Sequence, residues 1–171
     1  MENSMEKYAE LFSMLCTNFD GAKLGKKAAQ KMFYFFERMG INLNLRYGIH
    51  YYGPYSEKLD NTLHILESED YISIDTTGTT HVISMGENKV KAKALSFDEQ
   101  SIVKTVIDNF AHKTPLELEA LATMDFVANS MNCTNKNEII DIFKRIKGEK
   151  FKNSDIDETY NVLLGLGLIS A

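Results

Sequence analysis

The groups that could carry chemistry are four histidines, two cysteines and 24 acidic residues. Hydrolytic chemistry needs a nucleophile beside a base, a working carboxylate pair or a metal cluster. His50, His64, His81 and His112 stand singly, without the His-x-x-x-His or His-Glu-x-x-His spacing that puts two zinc ligands on one helix face. Folding could bring His50 to His64 or His81, but a surface or half-buried histidine is the simpler reading. Cys133 has no neighbour that marks a thiolate, and with Cys16 it reads as a small buried hydrophobe. Asp155 and Asp157 are spaced like metal ligands; beside Ser154 at a helix start they read better as charges on the positive end of a helix dipole. Gly21-Ala-Lys-Leu-Gly25-Lys26-Lys27 fails as a phosphate loop: its glycines are too close, Lys27 replaces the Ser/Thr that reaches magnesium, and a helix pattern precedes it. The expectation is a protein that is not an enzyme, with no catalytic, cofactor-binding or metal-binding residue.

What remains distinctive is the run from Arg46 to Leu59, with its tyrosines Tyr47, Tyr51, Tyr52 and Tyr55. Most of this cluster is expected to pack against a Phe-rich helix. Tyrosine also suits interfaces, since it offers area with a polar tip. Tyr51, Tyr55, Ser56 and Lys58 are therefore the candidate partner-binding residues.

The elements that must position this run follow from periodicity. Residues 6–19 carry a helical stripe (Tyr8, Leu11, Phe12, Leu15, Phe19) that Asp20-Gly21 breaks. Residues 22–39 form a second helix, apolar at Ala28, Met32, Phe33, Phe35, Phe36 and Met39, with Lys23, Lys27 and Lys31 as a solvated stripe. Residues 40–52 make a connector whose alternating Ile41, Leu43, Leu45 and Tyr47 suggest a short strand. Gly53-Pro54 reads as a bend that launches a helix, with Pro54 in its first turn and Tyr55, Leu59, Leu63 and Leu66 on its buried face, ending near Asp70. Tyr71–Asp75 and His81–Met85, joined by Thr76-Thr-Gly-Thr-Thr80, predict a hairpin. Three helices followed by a two-stranded wing make a winged helix-turn-helix-like half, residues 1–86. The polar stretch 86–94 is the expected boundary, with Lys89, Lys91 and Lys93 reading as a solvated linker.

Residues 94–171 predict a helical half. Ser96-Phe-Asp-Glu99 is a capping box, and Thr114-Pro115-Leu-Glu117 repeats the device with proline at the first helical position. Thr134 and Ser154 are the expected caps of two further helices. The fold class is mainly α, with the two halves expected to pack as one unit.

Composition bounds the rest. The 171 residues are 44% hydrophobic and 25% charged, ordinary for a soluble globular protein. The chain shows no apolar run of membrane-spanning length and no signal-peptide pattern at Met1-Glu-Asn-Ser, so a cytoplasmic location with no membrane partner is expected. The net charge of −5 disfavours nucleic acid. In residues 22–84 the seven basic residues are balanced by seven acidic ones.

The pairing of Gln30-Lys-Met-Phe-Tyr34-Phe35 with His50-Tyr-Tyr52-Gly53-Pro54-Tyr55-Ser56-Glu-Lys-Leu59 resembles the hallmark of the SocA-like Panacea domain. It is closer still to the uncharacterised bacterial proteins usually called YwgA-like, which share the fuller His-x-Tyr-Gly-Pro-Tyr-Ser form. The likeness covers residues 22–85, with Met32-Phe33 standing for the usual leucines; Leu116–Thr123 and Leu163–Leu168 resemble the YwgA-like C-terminal half more weakly. The resemblance implies motif positions at Gln30, Tyr34, His50, Tyr52, Gly53, Pro54 and Leu59. It also implies an antitoxin-type role, binding another protein such as a toxin or enzyme. A winged-helix DNA-binding regulator is the alternative, and a homodimer remains open.

Overall fold

The computed structural model describes residues 2–19, 23–90 and 93–170; the expected break at Asp20-Gly21 and the Lys91 position lie outside them. The protein is mainly α, with seven helices and five short strands among the described residues. None of these helices is long and apolar enough to cross a membrane. The chain divides into two units, Met1–Gly48 with Tyr55–Lys113, and Ile49–Pro54 with Thr114–Ala171.

In the first unit, helix α1 (Glu2–Asn18) leads to strand β1 (Leu24–Gly25) and helix α2 (Lys26–Arg38). The second helix thus starts four residues later than its apolar pattern suggests, because Leu24 and Gly25 are drawn into a sheet. Lys23 then precedes the helix and Lys31 is buried, so the expected lysine stripe does not form. Residues 41–47 are irregular: Asn44 and Arg46 take positive φ (53° and 55°), which interrupts a strand while still turning Ile41, Leu43 and Leu45 inward.

Strand β2 (Gly48–His50) pairs with β3 (Gly53–Tyr55). Pro54 lies in β3 rather than in a helix, and helix α3 (Glu57–Ser68) begins after it. Gly53 supplies the bend with a φ of 89°. Strands β4 (Ile72–Asp75) and β5 (Val82–Met85) form the predicted wing, and β5 also pairs with β1 (Leu24↔Ile83), giving an antiparallel sheet in the order β1-β5-β4. A short strand between the first two helices, joined to the last strand of the wing, completes a winged-helix arrangement. The exit from the wing is tight. A Cβ on Gly86 would lie 2.1 Å from the Asp70 carbonyl oxygen, so only glycine fits there.

Helix α4 (Phe97–Phe110) belongs to this first unit, which runs to Lys113. Its apolar face (Val103, Val106, Ile107, Phe110) is buried, and Phe110 stacks on Phe35 with ring centres 4.0 Å apart. Glu10 of α1 accepts hydrogen bonds from the Ala94 and Leu95 N–H groups (2.7 and 3.0 Å), and Lys7 pairs with Glu99, the acid of the Ser96 capping box. The described residues on either side of Lys91 therefore flank elements that share one core.

The second unit holds α5 (Pro115–Ser130), α6 (Lys136–Lys147) and α7 (Asn153–Gly165). The Thr114–Glu117 capping box with Pro115 starts α5 as expected. For α6 the cap is Asn135, whose side chain accepts from the Glu138 N–H at 3.0 Å, one residue beyond Thr134. Helix α7 starts at Asn153, so Ser154 is inside it, and Asp155 takes the N-terminal charge position read from the sequence. Leu118, Leu121, Met124, Val127, Phe143 and Leu163 form the core of this unit.

Candidate functional site

The motif residues are easiest to read from Gln30 outward. Its side-chain amide is 3% exposed on α2 and faces the backbone of Ser56. Gln30 Nε2 donates to the Ser56 carbonyl at 3.0 Å, and the Ser56 N–H donates to Gln30 Oε1 at 2.9 Å. Only a primary amide meets a donor and an acceptor of one residue in this way. The Ser56 hydroxyl donates to the Leu45 carbonyl and accepts from the Leu59 N–H at 3.1 Å, which caps α3. Tyr47 donates its hydroxyl to the Gln30 carbonyl at 3.1 Å and meets Tyr34 edge to face at 5.2 Å. Burial, and then Glu37, push the Tyr47 phenol well above its ordinary pKa, so it stays a donor. Glu37 in turn accepts from the Leu45 N–H at 3.0 Å.

These contacts fasten α2, the 41–47 connector and the start of α3 together. They also occupy the expected partner-binding residues with contacts inside the fold. Ser56 is fully buried. Lys58 lies on the surface, but its ammonium donates to the Leu43 and Asn44 carbonyls at 3.0 Å each, tying down the irregular connector. Tyr55 is half-buried and its hydroxyl bonds Asp60, which Lys26 also engages. Burial alone would raise the Asp60 pKa, but Lys26 and the Tyr55 hydroxyl outweigh it and hold the carboxyl below its usual value. Leu59 is fully buried, as expected.

Tyr51 and Tyr52 differ from the rest. Both belong to the second unit, and they are 79% and 43% exposed. Their rings meet edge to face at 4.8 Å. The expectation that they pack against the Phe-rich helix therefore holds for Tyr47 and fails for this pair. What holds them is a charged cluster. Lys147 Nζ donates to the Tyr51 carbonyl at 3.0 Å and to Glu119 Oε1 at 2.7 Å. Lys150 Nζ reaches both Glu119 oxygens (2.8 and 2.9 Å) and lies over the rings of Tyr51 and Tyr52, 5.4 and 5.2 Å from their centres. The Lys147 and Glu119 side chains are 3% and 6% exposed, whereas Lys150 is 29% exposed. Burial raises the Glu119 pKa, but hydrogen bonds and charge from Lys147 and Lys150 exceed that effect, and the carboxyl sits below its ordinary value.

Glu119, Lys147 and Lys150 are absent from the sequence expectations. A signal for them exists in the chain: residues 144–152 hold Lys144, Arg145, Lys147, Lys150 and Lys152 against Glu149 alone, a basic run in an acidic protein. Beside it lies an open cleft of about 500 Å³, lined by Lys144, Glu149, Phe151, Lys152 and Ile156.

Other candidates give less. Among the described residues no group of three His, Cys, Asp or Glu side chains is placed to hold a metal ion. Burial pushes the Cys16 thiol up to about 11, and burial followed by Glu138 raises Cys133, so both keep their protons at neutral pH. On α3 and its C-cap, Glu57, Lys58, Asn61, His64, Ile65 and Glu69 face solvent, an outer surface more acidic than basic. No protein-family model matches the chain, and no curated protein matches it.

Proposed function

We propose that this chain is a non-enzymatic protein-interaction module of the antitoxin or regulatory-adaptor type, as its resemblance to Panacea-like and YwgA-like domains implies. The observation that carries the reading is Tyr51, which is 79% exposed although its own carbonyl is fixed by a buried lysine. Fixing the backbone beneath an exposed amphipathic ring buries none of that ring, but it lowers the entropy lost when a partner covers it. The partner is another protein, such as a toxin or an enzyme; the two free cysteines fit a reducing, cytoplasmic setting. The test is capture of the partner by the tagged protein from nuclease-treated native lysate, alongside a Tyr51→Ala variant. One stoichiometric protein held by the parent and lost by the variant is expected. Equal capture by both removes this surface.

The winged-helix sheet order favours a second reading, a DNA-binding regulator with α3 in the major groove and the Thr76–Thr80 turn on the backbone. Phosphate contacts supply much of such affinity. Here Lys58 is spent on two carbonyls, and the turn between the wing strands contains no lysine or arginine. Salt-sensitive gel-shift binding at micromolar protein would restore this reading.

A further inference from the structure

The basic run around Lys147 adds a partner chemistry to the proposed interaction role, on which it rests. Three observations coincide in the second unit. First, one carboxylate, Glu119, is shared by two ammonium groups, leaving a positive surplus. Second, Lys144 and Lys152 are exposed and line the cleft of about 500 Å³, opposed there only by Glu149. Third, Phe151 lines that cleft and its ring centre lies 6.0 Å from the Lys150 ammonium, which also covers Tyr51 and Tyr52, so Lys150 stands between the cleft and the tyrosines. An apolar floor of Phe151 and Ile156 and unspent positive charge meet in the cleft, with the tyrosine rings on the other side of Lys150.

We infer that this surface docks an acidic peptide segment of the partner protein, its carboxylates toward Lys144, Lys150 and Lys152 and an apolar side chain in the cleft. Single-stranded nucleic acid is the other anion with a use for aromatic rings, and it fits less well. Base stacking needs open ring faces. Here Lys150 already occupies a face of each tyrosine, and the chain as a whole carries −5. A few separated carboxylates with an apolar residue between them match discrete lysines better than a continuous phosphate chain does.

The test uses the full chain and three fluorescent probes: a synthetic Glu/Leu/Phe peptide, its Lys-for-Glu counterpart, and an oligothymidine of the acidic peptide's charge. Anisotropy is read at low and physiological salt. Selective binding of the acidic peptide is expected, weakened at least about tenfold by Lys144→Glu combined with Lys152→Glu. Both positions are exposed, so the fold should survive; unchanged circular-dichroism melting checks this, and the milder Lys144→Gln with Lys152→Gln pair should give an intermediate loss. Tighter binding of the oligothymidine, binding of no probe, or undiminished binding by the Glu variant overturns the inference. Repeating the lysate capture with the Glu variant separates the two readings. A partner retained by that variant overturns the acidic-segment inference and leaves the interaction role standing. Peptide binding that persists when no protein is captured supports the cleft and counts against the role.

Discussion

Two clusters built on one short run of chain use opposite materials. At Ser56 the contacts are buried and neutral at their centre: a Gln30 amide against a backbone N–H and carbonyl, and a hydroxyl that both donates and accepts. Every group there has a partner, and nothing is left to offer a second molecule. A few residues earlier, at Tyr51, the contacts are ionic, and two ammonium groups share a single carboxylate beneath exposed rings. The first arrangement closes on itself; the second ends in solvent with charge to spare. One short run of chain thus combines a buried half and an exposed half, and burial tells them apart where residue type does not.

The largest effect should come from the closed side. Leu59 is fully buried on α3, so Leu59→Ala should cost about 2–5 kcal/mol in a denaturant melt. A loss within error would mean that the α3 face contributes little to the first core.

On the ionic side, Glu119→Gln should cost about 3 kcal/mol, because it leaves the Lys147 charge at 3% exposure with only neutral carbonyl oxygens to meet it. Lys147→Met should cost less, since Glu119 keeps Lys150. The reverse order would show Lys150 to be the weaker partner in solution. The same carboxyl predicts a pH dependence. Its pKa is lower folded than unfolded, so its stabilisation is complete above the unfolded value of about 4.3 and is lost as pH falls through the folded value. Melts between about pH 7 and about pH 3 should fall more steeply for the parent than for Glu119→Gln. Parallel curves would refute the ionic account.

Gln30→Met keeps the volume but orphans the buried Ser56 N–H and takes one of two donors from its carbonyl, which keeps the Asp60 N–H at 3.2 Å; this should cost about 1–3 kcal/mol. Gln30→Glu should recover only part of this, since a carboxylate accepts from the N–H but cannot donate to the carbonyl. Full rescue by glutamate would show that only the N–H contact matters.

Much of the fold was legible because it rests on local signals. The Ser96 and Thr114 capping boxes, the helical stripes and the Thr76–Thr80 hairpin turn each lie within a few residues of the element they start or join. What escaped is non-local. Leu24 and Gly25 become a strand only because β5 lies beside them, and nothing in two residues announces it. Pro54 looks like a helix start until Ser56, two residues later, proves to be the cap. That α4 lies against α2 is equally hidden, because the Phe35–Phe110 stack spans a long sequence separation. The tyrosine cluster was legible by type, but its division into half-buried Tyr47 and exposed Tyr51 depends on Gln30 and Lys147 from distant helices.

The smallest stability effect is expected where the functional effect is largest. Tyr51→Ala removes a ring that is 79% exposed, so the melt should move by no more than about 0.5 kcal/mol. Tyr51→Phe should be silent in both stability and folding, because the group that Lys147 holds is the backbone carbonyl and not the phenol. If the ring is the presented surface, partner affinity falls for Ala and less for Phe, the difference measuring the hydroxyl alone. A loss of stability for Tyr51→Ala comparable to that of Glu119→Gln would place the ring on the closed side, since a side chain that folding needs is not one that the protein holds out for another molecule.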